Sequence, residues 1–265
     1  MDNNCPENPE ILVLGSCGLF GFGVTGAIKY FQKRDKITHV NKILGSGCGG
    51  MLACLLNLGF TADEMYIICK NIKKGFSSLK TNISKVISAV NNKYIISQKY
   101  LSDIFEKEFK KKGIDPNIDF ETLHGNTGLS CFVFVYNLNE SEVQTLSYKT
   151  TPKMPVIEGM KASISTPRFI ETFVYKEKKY SDANISCPYP VDYISDKKGI
   201  GITYGVDMEK SDELKYLYSS TKILISKAIK KSKNNYKHHK INIENFFDKS
   251  SYHNLAYYTL LESNE

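Results

Sequence analysis

The stretch ILGSGCGGMLACLLNLGF, residues 43–60, constrains the fold more than any other part of the chain. A short apolar run meets a cluster of glycines, and a longer apolar run follows. The first run reads as the end of a buried strand and the glycines as a tight turn. Residues 51–59 then read as an apolar helix closed by Gly59, a natural residue just past a helix C-terminus. Such a unit aims a helix N-terminus at the edge of a sheet. Many hydrolases set a nucleophilic serine at the centre of a Gly-x-Ser-x-Gly turn of this kind. The centre of Gly45-Ser46-Gly47-Cys48-Gly49 is a glycine.

A similar unit precedes it. ILVLG (11–15) is a buried strand, SCGLFG (16–21) a glycine turn, and FGVTGAIKYFQKR (22–34) a helix with small residues early and basic residues late, as the helix dipole favours. HVNKILG (39–45) is the second strand. Thr61 and Glu64 have the spacing of a capping box, so a new helix is expected from about Ala62. Residues 66–112 are lysine-rich and mostly helical in pattern. GLSCFVFVYNL (128–138) is the strongest strand, with a partner in EVQTLSYK (142–149). Residues 160–165 read as helix, 172–183 as a hairpin around Lys178, 199–206 as a strand, and 211–233 and 253–262 as helices. Strands alternating with helices in the first sixty residues indicate an α/β fold with a parallel sheet core. The expected organisation is a polar lead (1–10), one domain (11–205) and a helical, lysine-rich C-terminal extension packed on it (206–265).

Nucleotide binding is poorly served by these turns. Gly15, Gly18 and Gly21 lack Gly-x-Gly-x-x-Gly spacing. Gly45, Gly47 and Gly50 meet it, but Lys70, Lys73 and Lys74 stand where an acidic ribose ligand belongs. No Gly-Lys-Ser/Thr triplet follows either turn, which excludes a P-loop. No cofactor and no metal site is expected: the seven cysteines (5, 17, 48, 54, 69, 131, 187) lack paired metal spacing and read as buried free thiols. His39, His124 and His253 are scattered, and His238-His239 sit inside a lysine run.

Four segments together resemble the patatin-like phospholipases. That family has a Gly-Gly-Gly-x-Arg/Lys-Gly oxyanion loop after its first strand, matched here by Ser16, Cys17, Gly18, Leu19, Phe20 and Gly21. Its Gly-x-Ser-x-Gly elbow is matched by Gly45 to Gly49, with a small apolar helix behind. An Arg-Ala-Ser block followed by Pro and Phe is matched by Lys161-Ala162-Ser163, Pro167 and Phe169. An Asp-Gly-Gly/Ala turn before a Pro-Val pair is matched by Asp182-Ala183-Asn184 and Pro190-Val191. The resemblance implies a three-layer α/β/α sandwich of the patatin type, a single domain with a central, largely parallel sheet. It also implies a Ser–Asp dyad in which the Asp is base, the Ser attacks a lipid acyl ester, and loop amides hold the oxyanion.

The sequence departs from that pattern at the chemistry. Gly47 replaces the nucleophile, Phe20 the basic loop residue, and Ser16 and Cys17 two glycines; Asp182 stands at the dyad position but is followed by Ala183 and Asn184. An elbow holds its central residue in a strained conformation that glycine relieves once the hydroxyl is unused. Ser46 is one residue early, which turns a strand side chain to the opposite face. Cys48, at a helix start, is an alternative nucleophile, or a small packed residue. Three functions stay open: a homologue that has lost hydrolysis and keeps a lipid- or membrane-binding role, an active acyl-ester hydrolase using Cys48, and a partner-binding scaffold.

Charge bears on partners. Of 35 basic residues only Arg34 and Arg168 are arginine. Lysine is a hydrated point charge, so sequence-specific nucleic-acid reading is not expected. Residues 214–243 carry eight lysines and no acid, a pattern suited to an anionic lipid or membrane surface. The polar N-terminus reads as no secretory leader, and no apolar run approaches the ~20 residues of a membrane span. The expected location is cytoplasmic, peripheral to membranes where the lysine segment engages them.

Overall fold

The computed structural model describes residues 8–17, 21–77, 94–184, 186–194, 199–205, 237–242 and 255–261. A nine-stranded sheet runs through them in the order β5-β6-β3-β2-β1-β7-β9-β8, with β4 on the other edge of β3. The centre is parallel. β1 (Ile11–Leu14) lies between β2 (Lys42–Ser46) and β7 (Gly199–Gly205), and β2 lies beside β3 (Ser130–Asn137). Antiparallel strands extend both sides: β4 (Glu142–Leu146), β5 (Phe173–Tyr175) and β6 (Lys178–Asp182) on one, β8 (Lys237–Asn242) and β9 (Leu255–Leu261) on the other.

Six α-helices are described: α1 (Gly21–Gln32), α2 (Cys48–Asn57), α3 (Ala62–Ser77), α4 (Gln98–Lys111), α5 (Phe120–Thr127) and α6 (Val156–Ile164). Alternation along β1 divides the core. Leu12 and Leu14 join the cluster built with Val24, Ile28, Met51, Leu52, Ile68, Phe105 and Met160 from the helices. Ile11 and Val13 face the other way, with Leu44, Phe134, Ala183, Tyr189 and Val191. Among the described residues that second face is covered by segment 183–194, which includes a 3₁₀ turn at Pro190–Tyr193, rather than by an α-helix. Strands buried on both faces need continuous apolar sequence, and ILVL supplies it.

Most sequence expectations meet an element. The capping box forms: Glu64 accepts from the Thr61 N–H at 2.7 Å, and the Thr61 hydroxyl accepts from the Glu64 N–H at 3.3 Å. Gly59 and Gly113 follow helices with positive φ, 77° and 72°. The hairpin turns at Lys176-Glu177, with Lys178 already in β6.

The C-terminal region differs from expectation. Residues 253–262 were expected to be helical, but Leu255–Leu261 is strand β9, and β8 pairs with it. LAYYTLL has the tyrosine and threonine content of a strand, and the open edge of β7 gives it backbone partners along seven residues. The helix expected over 211–233 lies outside the described residues. So do the 1–7 part of the polar lead and most of the lysine-rich segment.

Candidate active site

The elbow is built as the glycine spacing requires. Gly47 lies between β2 and α2 with φ 56° and ψ −132°, a backbone state that residues other than glycine adopt only under strain. Its glycine neighbours are packing residues. A Cβ on Gly45 would stand 2.4 Å from the Gly49 carbonyl oxygen, and one on Gly49 would stand 2.2 Å from that of Leu14. Helix α2 therefore lies directly on the backbone of β1. No side chain caps its N-terminus. The Gly50 N–H turns back to the Gly47 carbonyl at 2.9 Å, and a helix start of this kind offers its remaining N–H groups to anions and oxyanions.

Asp182 reaches the elbow through β3. One edge of β3 is shared by two strands that run toward each other. Ser46, the last residue of β2, pairs with Phe134, and Asp182, the last of β6, pairs with Val135. Consecutive residues of one strand thus set the aspartate against the end of the elbow strand.

The space beside Gly47 is filled. A Cβ at Gly47 would point at Asn184 Oδ1, 2.4 Å away, and at Ser16 Oγ, 2.7 Å away. Those two groups are hydrogen-bonded to each other, the Ser16 hydroxyl donating to Asn184 Oδ1. The Asn184 amide then donates through Nδ2 to Asp182 Oδ2 at 2.5 Å. The Thr166 hydroxyl donates to the same carboxylate oxygen. Ser16, Asp182 and Asn184 are all buried. Burial pushes the Asp182 carboxyl up to about 6, against the opposing hydrogen bonds from the Thr166 hydroxyl and the Asn184 backbone. The result is a buried chain of hydroxyl, amide and carboxylate beside Gly47.

Other candidates are placed as follows. The Ser46 hydroxyl donates to the Cys187 carbonyl at 2.5 Å, which commits it to segment 183–194. The Cys48 sulfur faces Gly21, together with those of Cys17 and Cys69, while the Gly47 seat faces Ser16 and Asn184. Gly21 opens α1 against this sulfur group. Gly18, Leu19 and Phe20 lie outside the described residues. His124 stacks on Tyr148 at 3.7 Å between centroids, apart from the elbow. An open groove of about 740 Å³ runs along β4 and the β5–β6 hairpin, past Thr150, Lys153, Tyr175, Lys176 and Tyr180, and no elbow residue lines it.

The sequence marked Ser16 and Asn184 as departures without linking them, and assigned Thr166 and Cys69 no part in the site. The only signal for Ser16 and Asn184 was a polar side chain at each of two positions where a glycine or alanine was expected.

A family model described as patatin-like phospholipase matches residues 12–194, which contain every part of this site. The chain belongs to the patatin-like phospholipase family. Among its relatives, a probable lipid hydrolase of Invertebrate iridescent virus 6 is 24% identical over 189 residues, spanning 71% of this chain and 63% of that protein. An uncharacterised protein of Acanthamoeba polyphaga mimivirus is 24% identical over 220 residues, 80% of this chain and 72% of its own length. The crystal structure of VipD from Legionella pneumophila is similar with a TM-score of 0.49 at 16% identity, covering 86% of this chain and 56% of VipD. That of the type III effector ExoU gives 0.43 at 14%, over 63% of this chain and 40% of ExoU. Membership makes this a patatin-like lipid hydrolase homologue. Among the described residues no helix is long and apolar enough to cross a membrane.

Proposed function

We propose that this chain is a patatin-like protein in which the Ser–Asp route to ester hydrolysis is closed and a lipid- or membrane-facing role is retained. The observation that carries the loss of hydrolysis is the convergence of three departures. Residues 16, 47 and 184 come from separate segments, yet the side chains of two fill the space left by the third. A mere loss of serine would leave a seat; here the seat holds a hydrogen-bonded pair that also engages the base. Without its nucleophile a catalytic unit of this type loses on the order of 10⁶ in turnover. The lipid-facing role is supported by family membership and by the eight lysines of residues 214–243.

The test is ester hydrolysis by the full chain on phospholipid vesicles and a short-chain p-nitrophenyl ester. Wild type is expected to be silent. The Ser16→Gly/Gly47→Ser/Asn184→Gly variant, which empties the seat and refits the serine, is expected to gain at least about 100-fold over wild type. Asp182→Ala in that background removes the gain. Wild-type hydrolysis lost in Cys48→Ala would replace this reading with a thiol hydrolase. For the lipid role, sedimentation with anionic vesicles should fall with salt and with Lys222, Lys227, Lys230 and Lys231 changed to Gln. Equal binding to neutral vesicles and by that variant would remove the membrane part of the proposal.

A further inference from the structure

Beside the dyad seat lies a sulfur cluster that ester hydrolysis does not use. Cys17 is on the irregular segment after β1, Cys48 is the first residue of α2, and Cys69 is inside α3. Their sulfurs gather at one point. A Cβ placed on Gly21 would meet the Cys48 sulfur at 2.3 Å, that of Cys69 at 3.2 Å and that of Cys17 at 3.8 Å. Glycine at the start of α1 is what makes room for them. All six described cysteines are free and buried, so burial alone does not single these out.

The three are not equivalent. Cys48 is the hub: the thiol contacts of Cys17 and Cys69 hold it well below the ordinary thiol range, while the same contacts and burial push its neighbours up. Its place at an uncapped helix N-terminus stabilises a thiolate in the same direction. It is also the most exposed of the trio, at 9% against 3% for Cys17 and 7% for Cys69. A second buried thiol contact, Cys54 with Cys131, has none of these features: Cys54 lies within α2 with no exposure, and burial raises it.

We propose that Cys48 and Cys17 are an oxidation site at which a peroxide forms a disulfide, tying the segment after β1 to the N-terminus of the elbow helix. In the first step the Cys48 thiolate attacks a peroxide oxygen. An S–O bond forms, the O–O bond breaks, and the leaving hydroxide takes up the proton Cys48 lost on ionising, so that Cys48 sulfenic acid and water result with hydrogen peroxide. In the second the Cys17 sulfur attacks the Cys48 sulfur. An S–S bond forms, the S–O bond breaks, and a second water leaves with the Cys17 proton. Two thiols give up two electrons and two protons in all, and the peroxide is reduced to water. Cys17 is the partner rather than Cys69 because a disulfide needs Cα atoms about 4.4–6.8 Å apart. A residue outside regular structure can adjust to that more readily than one fixed inside a helix.

The experiment uses the full wild-type chain treated with hydrogen peroxide, then alkylated in denaturant and digested with chymotrypsin and Glu-C. These enzymes separate Cys5 from Cys17 at intervening carboxylates, Cys48 from Cys54 at Leu52, and both from Cys69 at Glu64. The expected product is a Cys17–Cys48 cross-linked peptide, reversed by dithiothreitol, with free thiols falling from seven to five per chain. Cys54 and Cys131 should remain alkylated, and Cys69→Ala should still form the link. A Cys48–Cys69 link would overturn the pairing. A Cys48 sulfenic acid that persists and is trapped by dimedone would overturn the disulfide. Recovery of all three thiols alkylated, at peroxide levels that oxidise free cysteine added to the same solution, would overturn the site.

Discussion

The Ser16 hydroxyl donates to the side-chain oxygen of Asn184 across the space where a residue-47 side chain would stand. Three changes thereby become one. Serine at 47 would meet both groups, and its backbone would have to hold φ 56° with a Cβ. Gly47→Ser alone is therefore expected to lower stability by about 1–3 kcal/mol and to restore no hydrolysis. In a Ser16→Gly/Asn184→Gly background the steric part disappears, so the same substitution should cost at least about 1 kcal/mol less. Urea denaturation of the four proteins measures that coupling, and additive costs would show that the seat is not shared.

Asp182 makes stability depend on pH in an unusual direction for a carboxylate. Its ordinary 3.8 rises to about 6 in the folded protein. Between those values the folded state binds more protons than the unfolded state, so stability falls as pH rises through this window. The contribution is fully present below about pH 4 and lost above about pH 6, at most about 3 kcal/mol. Asp182→Asn keeps an oxygen acceptor for Thr166 and Asn184 and removes the charge. It should raise the melting temperature at pH 7 and change it little at pH 4. An Asn variant with the same rise in stability on acidification as wild type would assign that dependence to another group.

The elbow was legible because its signals are local. Gly45, Gly47 and Gly49 lie within five residues, and their spacing alone specified a strand meeting a helix. Asp182 was legible only through the order of four separate segments, because the β3 register that brings it beside Ser46 leaves no periodic trace. The Ser16–Asn184 bond was not legible: 168 residues separate the pair, and nothing in either neighbourhood refers to the other. The Cys17–Cys48–Cys69 group was hidden for the same reason, since Cys69 enters it from an unrelated helix. β9 was misread because Leu, Ala and Leu suit a helix, and the open edge of β7 that selects extended backbone is a tertiary feature.

The β5–β6 hairpin carries local strain that substitution can relieve. Its two turn residues, Lys176 and Glu177, both hold positive φ, 46° and 67°, between the paired Tyr175 and Lys178. A turn with both central residues at positive φ favours Asn-Gly, since larger side chains cost about 1 kcal/mol or more in that region. Lys176→Asn/Glu177→Gly should stabilise the protein by about 1 kcal/mol, read as a higher urea midpoint with unchanged slope. A lower midpoint would show that lost chain entropy outweighs the relieved strain.

Gly49 tests whether the glycines around residue 47 are held by packing. It lies in the first turn of α2, where alanine would ordinarily favour the helix by up to about 1 kcal/mol. Its Cβ would instead meet the carbonyl oxygens of Leu14 and Gly15 at 2.2 and 2.5 Å, and both belong to backbone that cannot rotate aside. Separating α2 from β1 enough to admit a methyl group would disturb Leu12, Leu14, Met51 and Leu52 together in the core. Gly49→Ala should therefore cost about 3 kcal/mol or more. Gly59 supplies the comparison: it has φ 77° and open space around its Cβ position, so Gly59→Ala meets backbone strain alone, about 1 kcal/mol. The two urea midpoints should differ in that order. Equal losses would mean that α2 does not rest on the β1 backbone, and that the elbow glycines survive for a reason other than close packing.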